Sequence, residues 1–244
     1  MQSLLQKKPI QPDANLFDTL THCIKGLDTT SILSKLILEI FHNRIAVVSS
    51  FGAESAILLD QVARIDKNIP ILFIDTKKHF PETLEYRDIL IDRLGLTNVQ
   101  SIEPDVFERT TEDDDGMLWQ RNHDGCCNLR KVRPLDKALK GYDAWISGRK
   151  RFHGGGRETL PIVEALDDKI KINPLANWPA DEIENYFTNF GLPRHPLFNQ
   201  GYLSIGCATC TQKPTGNDDP RSGRWSGSSK VECGIHKSML SASL

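Results

Sequence analysis

The chain has 244 residues, 39% of them hydrophobic and 25% charged, with a formal net charge of −2. That length can bury a sizeable core without disulfide staples, and the near-neutral balance removes any global pull toward nucleic acid. No segment is long and apolar enough to span a bilayer, and residues 1–12 carry Lys7 and Lys8 without the apolar run of a secretory signal, so the expected location is the cytoplasm.

Asp28 reads as the N-cap of an amphipathic helix ending near Asn43. A preceding N-terminal extension, residues 1–26, is helical, with Cys23 expected to be packed in it. The apolar run 45–48 predicts a buried strand, 53–65 a helix, and 70–75 the next strand. Pro81 opens a further helix that stops at Gly95, and a strand follows at 99–102. Strand, helix, strand, helix, strand is the order of parallel βαβ units, whose ligands sit beyond the strand C-termini. Seven carboxylates against Arg109 alone make residues 103–115 an acidic stretch, read as a solvated face. Residues 127–139 should be helical, 143–147 a strand, 162–172 one or two strands, and 181–190 a helix capped by Gly191. Residues 211–230 are rich in Gly, Ser, Pro and Asp, which predicts a mobile tail or lid. The fold class is therefore α/β, with a doubly wound, mostly parallel sheet. Residues 27–210 form its body and 211–244 a flexible C-terminal tail.

Four of the six cysteines fall in two tight pairs, Cys126-Cys127 and Cys207-Ala-Thr-Cys210. Adjacent thiols do not easily share one small tetrahedral ion, whereas an iron-sulfur cube offers each a separate corner. A [4Fe-4S] cluster ranks first on this chemistry and structural zinc second, with two unconnected pairs of buried thiols as the alternative without a metal. Ser49-Ser50-Phe51-Gly52-Ala53-Glu54-Ser55 lies between a predicted strand and a helix, where backbone amides and hydroxyls can cradle an anion. It lacks the lysine of a Walker loop, and a plain strand-to-helix turn fits it equally well. Between residues 130 and 157 nine Lys or Arg stand against two Asp, and the segment 147–157 adds three consecutive glycines to Arg149, Lys150, Arg151 and Arg157. Arginine forks suit phosphate and sulfate oxygens. An RNA-binding patch competes, but no aromatic platform is interleaved with the charges. Cys233 sits near the end of the polar tail with Lys230, His236 and Lys237 close in sequence, which suits a reagent better than a structural thiol.

Taken together, Cys126-Cys127, Cys207-x-x-Cys210 and Glu232-Cys233-Gly234-Ile235-His236 resemble the assimilatory adenylylsulfate (APS) reductases, the iron-sulfur branch of the APS/PAPS reductase family. The match runs from about Ser49 to His236. Ser49 to Ser55 is similar to the family's modified pyrophosphate loop, while Phe73-Ile74-Asp75-Thr76 and Phe80-Pro81-Glu82-Thr83 are similar to its second-strand nucleotide signature. The resemblance implies an adenine nucleotide alpha-hydrolase-like fold. It implies cluster ligation by Cys126, Cys127, Cys207 and Cys210. Substrate contacts would come from Ser49, Ser50, Phe51, Gly52, Ser55, Lys131, Arg149, Arg157, Arg221, Arg224 and His236, with Arg130 and His123 near substrate or cluster. Three positions depart from the pattern: Lys77 where a glycine commonly follows Asp-Thr, the segment Phe152 to Gly156, and Trp225 with its following serine.

The implied reaction is the thioredoxin-dependent reduction of APS to sulfite and AMP, in sulfate assimilation toward cysteine. The Cys233 thiolate attacks the sulfur, AMP leaves, and thioredoxin or a glutaredoxin-like thiol releases sulfite from the S-sulfocysteine. Neither nucleic acid nor a membrane is an expected partner, and the oligomeric state stays open. The nearest rival substrate is PAPS, which carries an added 3′-phosphate. An ATP-pyrophosphatase-type enzyme is a second rival, disfavoured because its Ser-Gly-Gly-x-Asp-Ser loop is not reproduced. A non-catalytic zinc or RNA-binding module is a third.

Overall fold

The computed structural model describes residues 14–214, 219–225, 227–228 and 230–236. Helix α1 (Ala14–Ile24) buries Leu20 and Ile24. Asp28 caps α2 (Thr29–Ser34) by accepting the Ser31 N–H at 2.9 Å, and the helix continues as a π-helical turn, Lys35–Ile40. The expected 28–43 helix is thus real but widens and stops early. Strand β1 (Ile45–Ser49), α3 (Ser55–Ile65), β2 (Ile71–Ile74), α4 (Pro81–Leu94) and β3 (Val99–Ile102) agree with the elements expected there. Gly95 ends α4 in the left-handed conformation at φ 65°, which costs glycine little.

The acidic stretch keeps its carboxylates toward solvent as expected, except at Asp113. It folds into α5 (Val106–Glu112) and a turn leading to α6 (Leu118–Arg121), and Asp113 is buried against Arg130. Helix α7 (His123–Cys127) passes into a π-helical segment (Asn128–Val132) and then α8 (Arg133–Ala138), where one helix over 127–139 was expected. Strand β4 (Ala144–Ile146), the antiparallel pair β5 (Val163–Leu166) and β6 (Lys169–Ile172), and α9 (Ala180–Phe190) complete the body. Cys23 is exposed rather than packed.

The sheet order is β3-β2-β1-β4-β6-β5, parallel except for β5. Alternate residues of the central strands face opposite layers. Ile45, Val47, Ile71, Phe73 and Ile146 join the helices α1 to α4 and α9. Ala46, Val48, Leu72, Ile74 and Trp145 meet Leu135 of α8 and Leu139 just beyond it. Both faces are covered, so these strands read as continuous apolar runs rather than alternating ones. Each fully buried Ile, Leu or Phe contributes roughly 1.5–3 kcal/mol. From β1 the chain winds out to β3, then returns to lay β4 on the other side of β1. Such a reversal opens a crevice at the strand C-termini, and this fixes where a ligand can enter.

Candidate active site

The crevice holds a cleft of about 210 Å³ lined from the ends of β1, β2 and β4 and by the tail. The β1 exit is shaped locally. Phe51 adopts a left-handed φ of 47°, its N–H donates to Ser49 Oγ at 3.1 Å, and its ring is buried edge-on against Phe73 at 5.4 Å. That anchoring turns the chain so that Gly52 passes the Ile205 carbonyl, where an added Cβ would lie 3.1 Å from the oxygen. Helix α3 then starts at Ser55, which lines the cleft, so the positive end of its dipole faces that space. A left-handed φ of 57° at Lys77 explains why glycine suits that position. The lysine is held there by ion pairs to Asp75 at 2.9 Å and Glu103 at 2.6 Å.

Six cations line the cleft: Lys131, Arg149, Lys150, Arg157, Arg221 and Arg224. Four have carboxylate partners. Glu54 Oε2 takes Lys150 at 2.7 Å and His153 at 3.1 Å, Arg149 meets Glu164, and Arg157 and Arg221 meet Glu232 at 2.6 and 3.3 Å. Among the described residues, Lys131 and Arg224 have no carboxylate partner. Burial would raise the Glu54 and Glu232 pKa values, but the facing cations more than offset it and hold both at about 2. Burial, reinforced by Lys171, Arg149, Arg157 and Arg221, holds His236 well below 6.5, so its imidazole is neutral. That ring stacks on Trp145 at 6.1 Å and 12°. Beneath the same indole, the fully buried Lys171 sits 4.8 Å from the ring centroid and 3.2 Å from Glu164.

Of the paired cysteines, Cys207 lines this cleft, and Cys127 reaches it through its hydrogen bond to Cys233, while Cys126 and Cys210 are not among the lining residues. Cys126 and Cys127 end α7, while Cys207 and Cys210 flank a single turn closed by the Cys210 N–H to Cys207 O bond at 3.0 Å. Burial pushes the Cys126 thiol up to about 11, and the nearby Cys207 and Cys210 add to that shift. Thr76 Oγ1 lies 3.3 Å from Cys207 Sγ. Cys127 instead shares a hydrogen bond with Cys233. Among the described residues, no three His, Cys, Asp or Glu side chains gather as a single metal ion requires. The buried Cys233 thiol is held well below its ordinary pKa, first by the Cys127 hydrogen bond, against burial, then by Lys131 and the Ile235 N–H. Lys131 is raised in turn: burial opposes its charge, and Cys207, Cys233 and Cys127 outweigh that.

The cleft thus gathers Ser49, Ser50, Gly52, Ser55, Lys131, Arg149, Arg157, Arg221, Arg224 and His236 around Cys207 and Cys233. Phe51 does not line it, because its ring is spent on the core. Arg130 turns away to the buried Asp113 and to the Thr76 carbonyl at 2.9 Å, and His123 also lies outside the lining. Glu54, Trp145, His153 and Glu232 belong to the cleft and were not given a role there from the sequence, whereas Lys150 had been counted in the basic segment. Glu232 lay in plain view beside Cys233, but nothing in a linear motif says that its carboxylate faces two arginines. A second hollow of about 460 Å³ lies behind Trp145 and Ile235, lined by Val132, Leu135, Leu139 and Leu166. Its rim carries Asp136, Asp167, Asp168 and Lys169 instead of the arginine set, so the first cleft is the chemical one.

Residues 44–213 match the phosphoadenosine phosphosulfate reductase domain. An adenosine 5′-phosphosulfate reductase from Mesorhizobium japonicum is 44% identical over 99% of this chain and 98% of its own. Adenosine 5′-phosphosulfate reductase 2 from Bacillus subtilis is 41% identical over 81% of this chain and 85% of its own. Among solved structures, a phosphoadenylyl-sulfate (PAPS) reductase from Candida auris superposes with a TM-score of 0.69, at 26% identity, over 83% of this chain and 99% of that one. Yeast FAD synthetase, at 15% identity and a TM-score of 0.56 over 84% of this chain and 71% of that one, shares the fold. A domain match over most of the chain and a relative aligned nearly end to end make this chain a member of the APS/PAPS reductase family.

Proposed function

We propose that the chain is a thioredoxin-dependent adenylylsulfate reductase, acting in the cytoplasm in sulfate assimilation toward cysteine. One observation carries the reading: the buried Cys233 lies in the same cleft as an anion loop and six cations. The adenosine 5′-phosphosulfate reductase relatives support APS as the substrate. In this reading residues 1–26 are an extension, 27–210 the nucleotide-binding body, and 211–244 a tail that carries the nucleophile; residues 1–13, 215–218, 226, 229 and 237–244 of the extension and tail lie outside the described residues.

The loop from Ser49 to Ser55 and the start of α3 hold the nucleotide phosphate. Arg149, Arg157, Arg221 and Arg224 flank the phosphosulfate and, with Lys131, neutralise oxygens as charge moves onto the leaving AMP. The Cys233 thiolate attacks sulfur, the bond from sulfur to the bridging oxygen breaks, and AMP departs with that electron pair. Neutral His236 stacks on Trp145 and seats the tail, leaving a ring nitrogen to donate or accept without adding charge. A thiolate of thioredoxin or a glutaredoxin-like protein then attacks Cys233 Sγ, sulfite leaves, and that protein's second thiol resolves the mixed disulfide. Two thiols are oxidised and one sulfur is reduced by two electrons, so the step balances.

Cys126, Cys127, Cys207 and Cys210 would hold a [4Fe-4S] cluster. The donor set fits in its chemistry: four free thiols in two pairs, one for each iron corner of a cube. Cys127 would exchange its hydrogen bond to Cys233 for iron, and the Lys131 and Ile235 contributions to the Cys233 thiolate do not depend on that bond. When bound, such a cluster supplies a fixed charge beside Lys131 and no electrons to the substrate.

The test is anaerobic purification followed by iron, sulfide and zinc analysis and an APS-dependent sulfite assay on one sample. The reading expects four irons per chain and sulfite release that requires Cys233. Zinc without iron, or sulfite release by Cys233→Ser, would overturn it. The likeness to a PAPS reductase structure favours PAPS as a second substrate reading, and kcat/KM for the two nucleotides decides between them.

A further inference from the structure

A cleft built for anions contains carboxylates of its own, and one of them arrives on the tail. Glu54 and Glu164 belong to the body and hold Lys150, His153, Arg149 and Lys171 in place. Glu232 is different, because it immediately precedes the nucleophile. Its Oε2 receives both Nε and Nη2 of Arg157 at 2.6 Å, and its Oε1 lies 3.3 Å from Arg221 Nη2. The same Oε1 accepts the Cys233 N–H at 2.9 Å. All three side chains are largely out of solvent, Glu232 at 13%, Arg157 at 8% and Arg221 at 10% exposure. Arg221 also donates to the Val231 carbonyl at 3.0 Å, so the grip extends along the tail. A carboxylate held by two arginine forks has the geometry those forks offer to phosphate or sulfate.

We propose that Glu232 is a tethered stand-in for the substrate's anionic oxygens. In the substrate-free enzyme it keeps Arg157 and Arg221 in their binding pose and moors Cys233 in the cleft, and the incoming phosphosulfate takes the arginines from it. This deepens the reading of the chain as an APS reductase and rests on it. One carboxylate charge competes with the two charges of the phosphosulfate, so the exchange runs toward substrate. It also has a cost. Substrate must displace a buried ion pair, so ground-state affinity is lower than the cations alone would give, and the tail is unmoored when the arginines change partner. Glu232 touches neither the reacting sulfur nor the leaving group in this scheme, and it acts as a positioning residue through Arg157, Arg221 and the Cys233 backbone.

The experiment measures equilibrium binding of APS and of adenosine, which lacks the anion, by calorimetry. It uses the non-reacting Cys233→Ser enzyme and the same enzyme carrying Glu232→Gln or Glu232→Asp. Glutamine keeps the shape and removes the charge. It should tighten APS about tenfold, equivalent to roughly 1.4 kcal/mol, and leave adenosine within about twofold. Aspartate keeps the charge and should leave APS within about threefold of the parent. Structural damage would not tighten binding. Unchanged or weaker APS binding by the glutamine variant, beside normal binding by the parent, would overturn the competition. Loss of adenosine binding together with APS would also overturn it, since Glu232 would then be holding the cleft together. If the parent bound adenosine and not APS, the substrate reading itself would fall, and this inference with it.

Discussion

Replacing Asp113 with Asn tests whether the segment carrying Lys131 is braced from below as the structure implies. The Asp113 side chain is 0% exposed and that of Arg130 is 4%. Asp113 Oδ2 accepts from both Nε and Nη2 of Arg130, and Oδ1 accepts the Leu118 N–H at 2.7 Å. Asparagine can keep the Leu118 bond, but it turns an amide donor toward a guanidinium that only donates. Leaving one partner of a buried pair uncompensated costs about 3–5 kcal/mol. Arg130 retains the Thr76 carbonyl at 2.9 Å, so the lower end applies, about 3 kcal/mol. For a domain of this size each kcal/mol moves Tm by roughly 2–4 °C, giving a fall of about 6–12 °C. Circular-dichroism melts under anaerobic conditions measure it, at low salt and again at about 0.5 M NaCl, because a buried pair is little screened. A loss below about 1 kcal/mol, or one that high salt abolishes, would match an exposed pair and refute the reasoning.

Gly52→Ala places a methyl 3.1 Å from the Ile205 carbonyl, so the anion loop must shift by a few tenths of an ångström. The expected result is a KM for APS raised about tenfold with Tm changed by no more than about 2 °C, read from initial rates and a melt. Lys77→Gly relieves a left-handed φ worth roughly 1–2 kcal/mol and loses two ion pairs from a lysine side chain that is 38% exposed. Those pairs are worth about 0–1 kcal/mol each, so urea midpoints should barely move. Lys171 is lowered from 10.5 to about 7, first by burial and then by Arg149. The unfolded chain therefore binds more protons than the folded one between about pH 7 and 10.5, and stability should rise with pH there at up to about 1.4 kcal/mol per unit. Lys171→Met should flatten that rise in urea unfolding followed against pH.

The sheet was legible because its strands are buried on both faces and read as plain apolar runs, and because Pro81 and Gly95 bracket a helix at both ends. Interruptions were harder to see. The π-helical segments Lys35–Ile40 and Asn128–Val132 leave a helical pattern of apolar residues intact while rotating the next stretch of chain about the helix axis. The acidic stretch misled at one residue, for a physical reason. Its charges do mostly face solvent, but Asp113 is turned inward by a partner seventeen residues later, and composition cannot register a pairing across a fold. The same holds for the site. Cysteine spacing and the Glu-Cys-Gly-Ile-His motif pointed to Cys207 and Cys233, which the fold brings into one cleft, whereas the carboxylates that pair with the cations became visible only once distant segments met there.

The central claim is that Cys233 takes the sulfonate from APS. Anaerobic enzyme mixed with APS in the absence of any thiol reductant, quenched and analysed by peptide mass spectrometry, addresses it directly. One SO₃ unit is expected on the peptide containing Cys233, with an equal amount of AMP and no free sulfite until thioredoxin is added. AMP and sulfite formed without that adduct, or an adduct on any other cysteine, would contradict it.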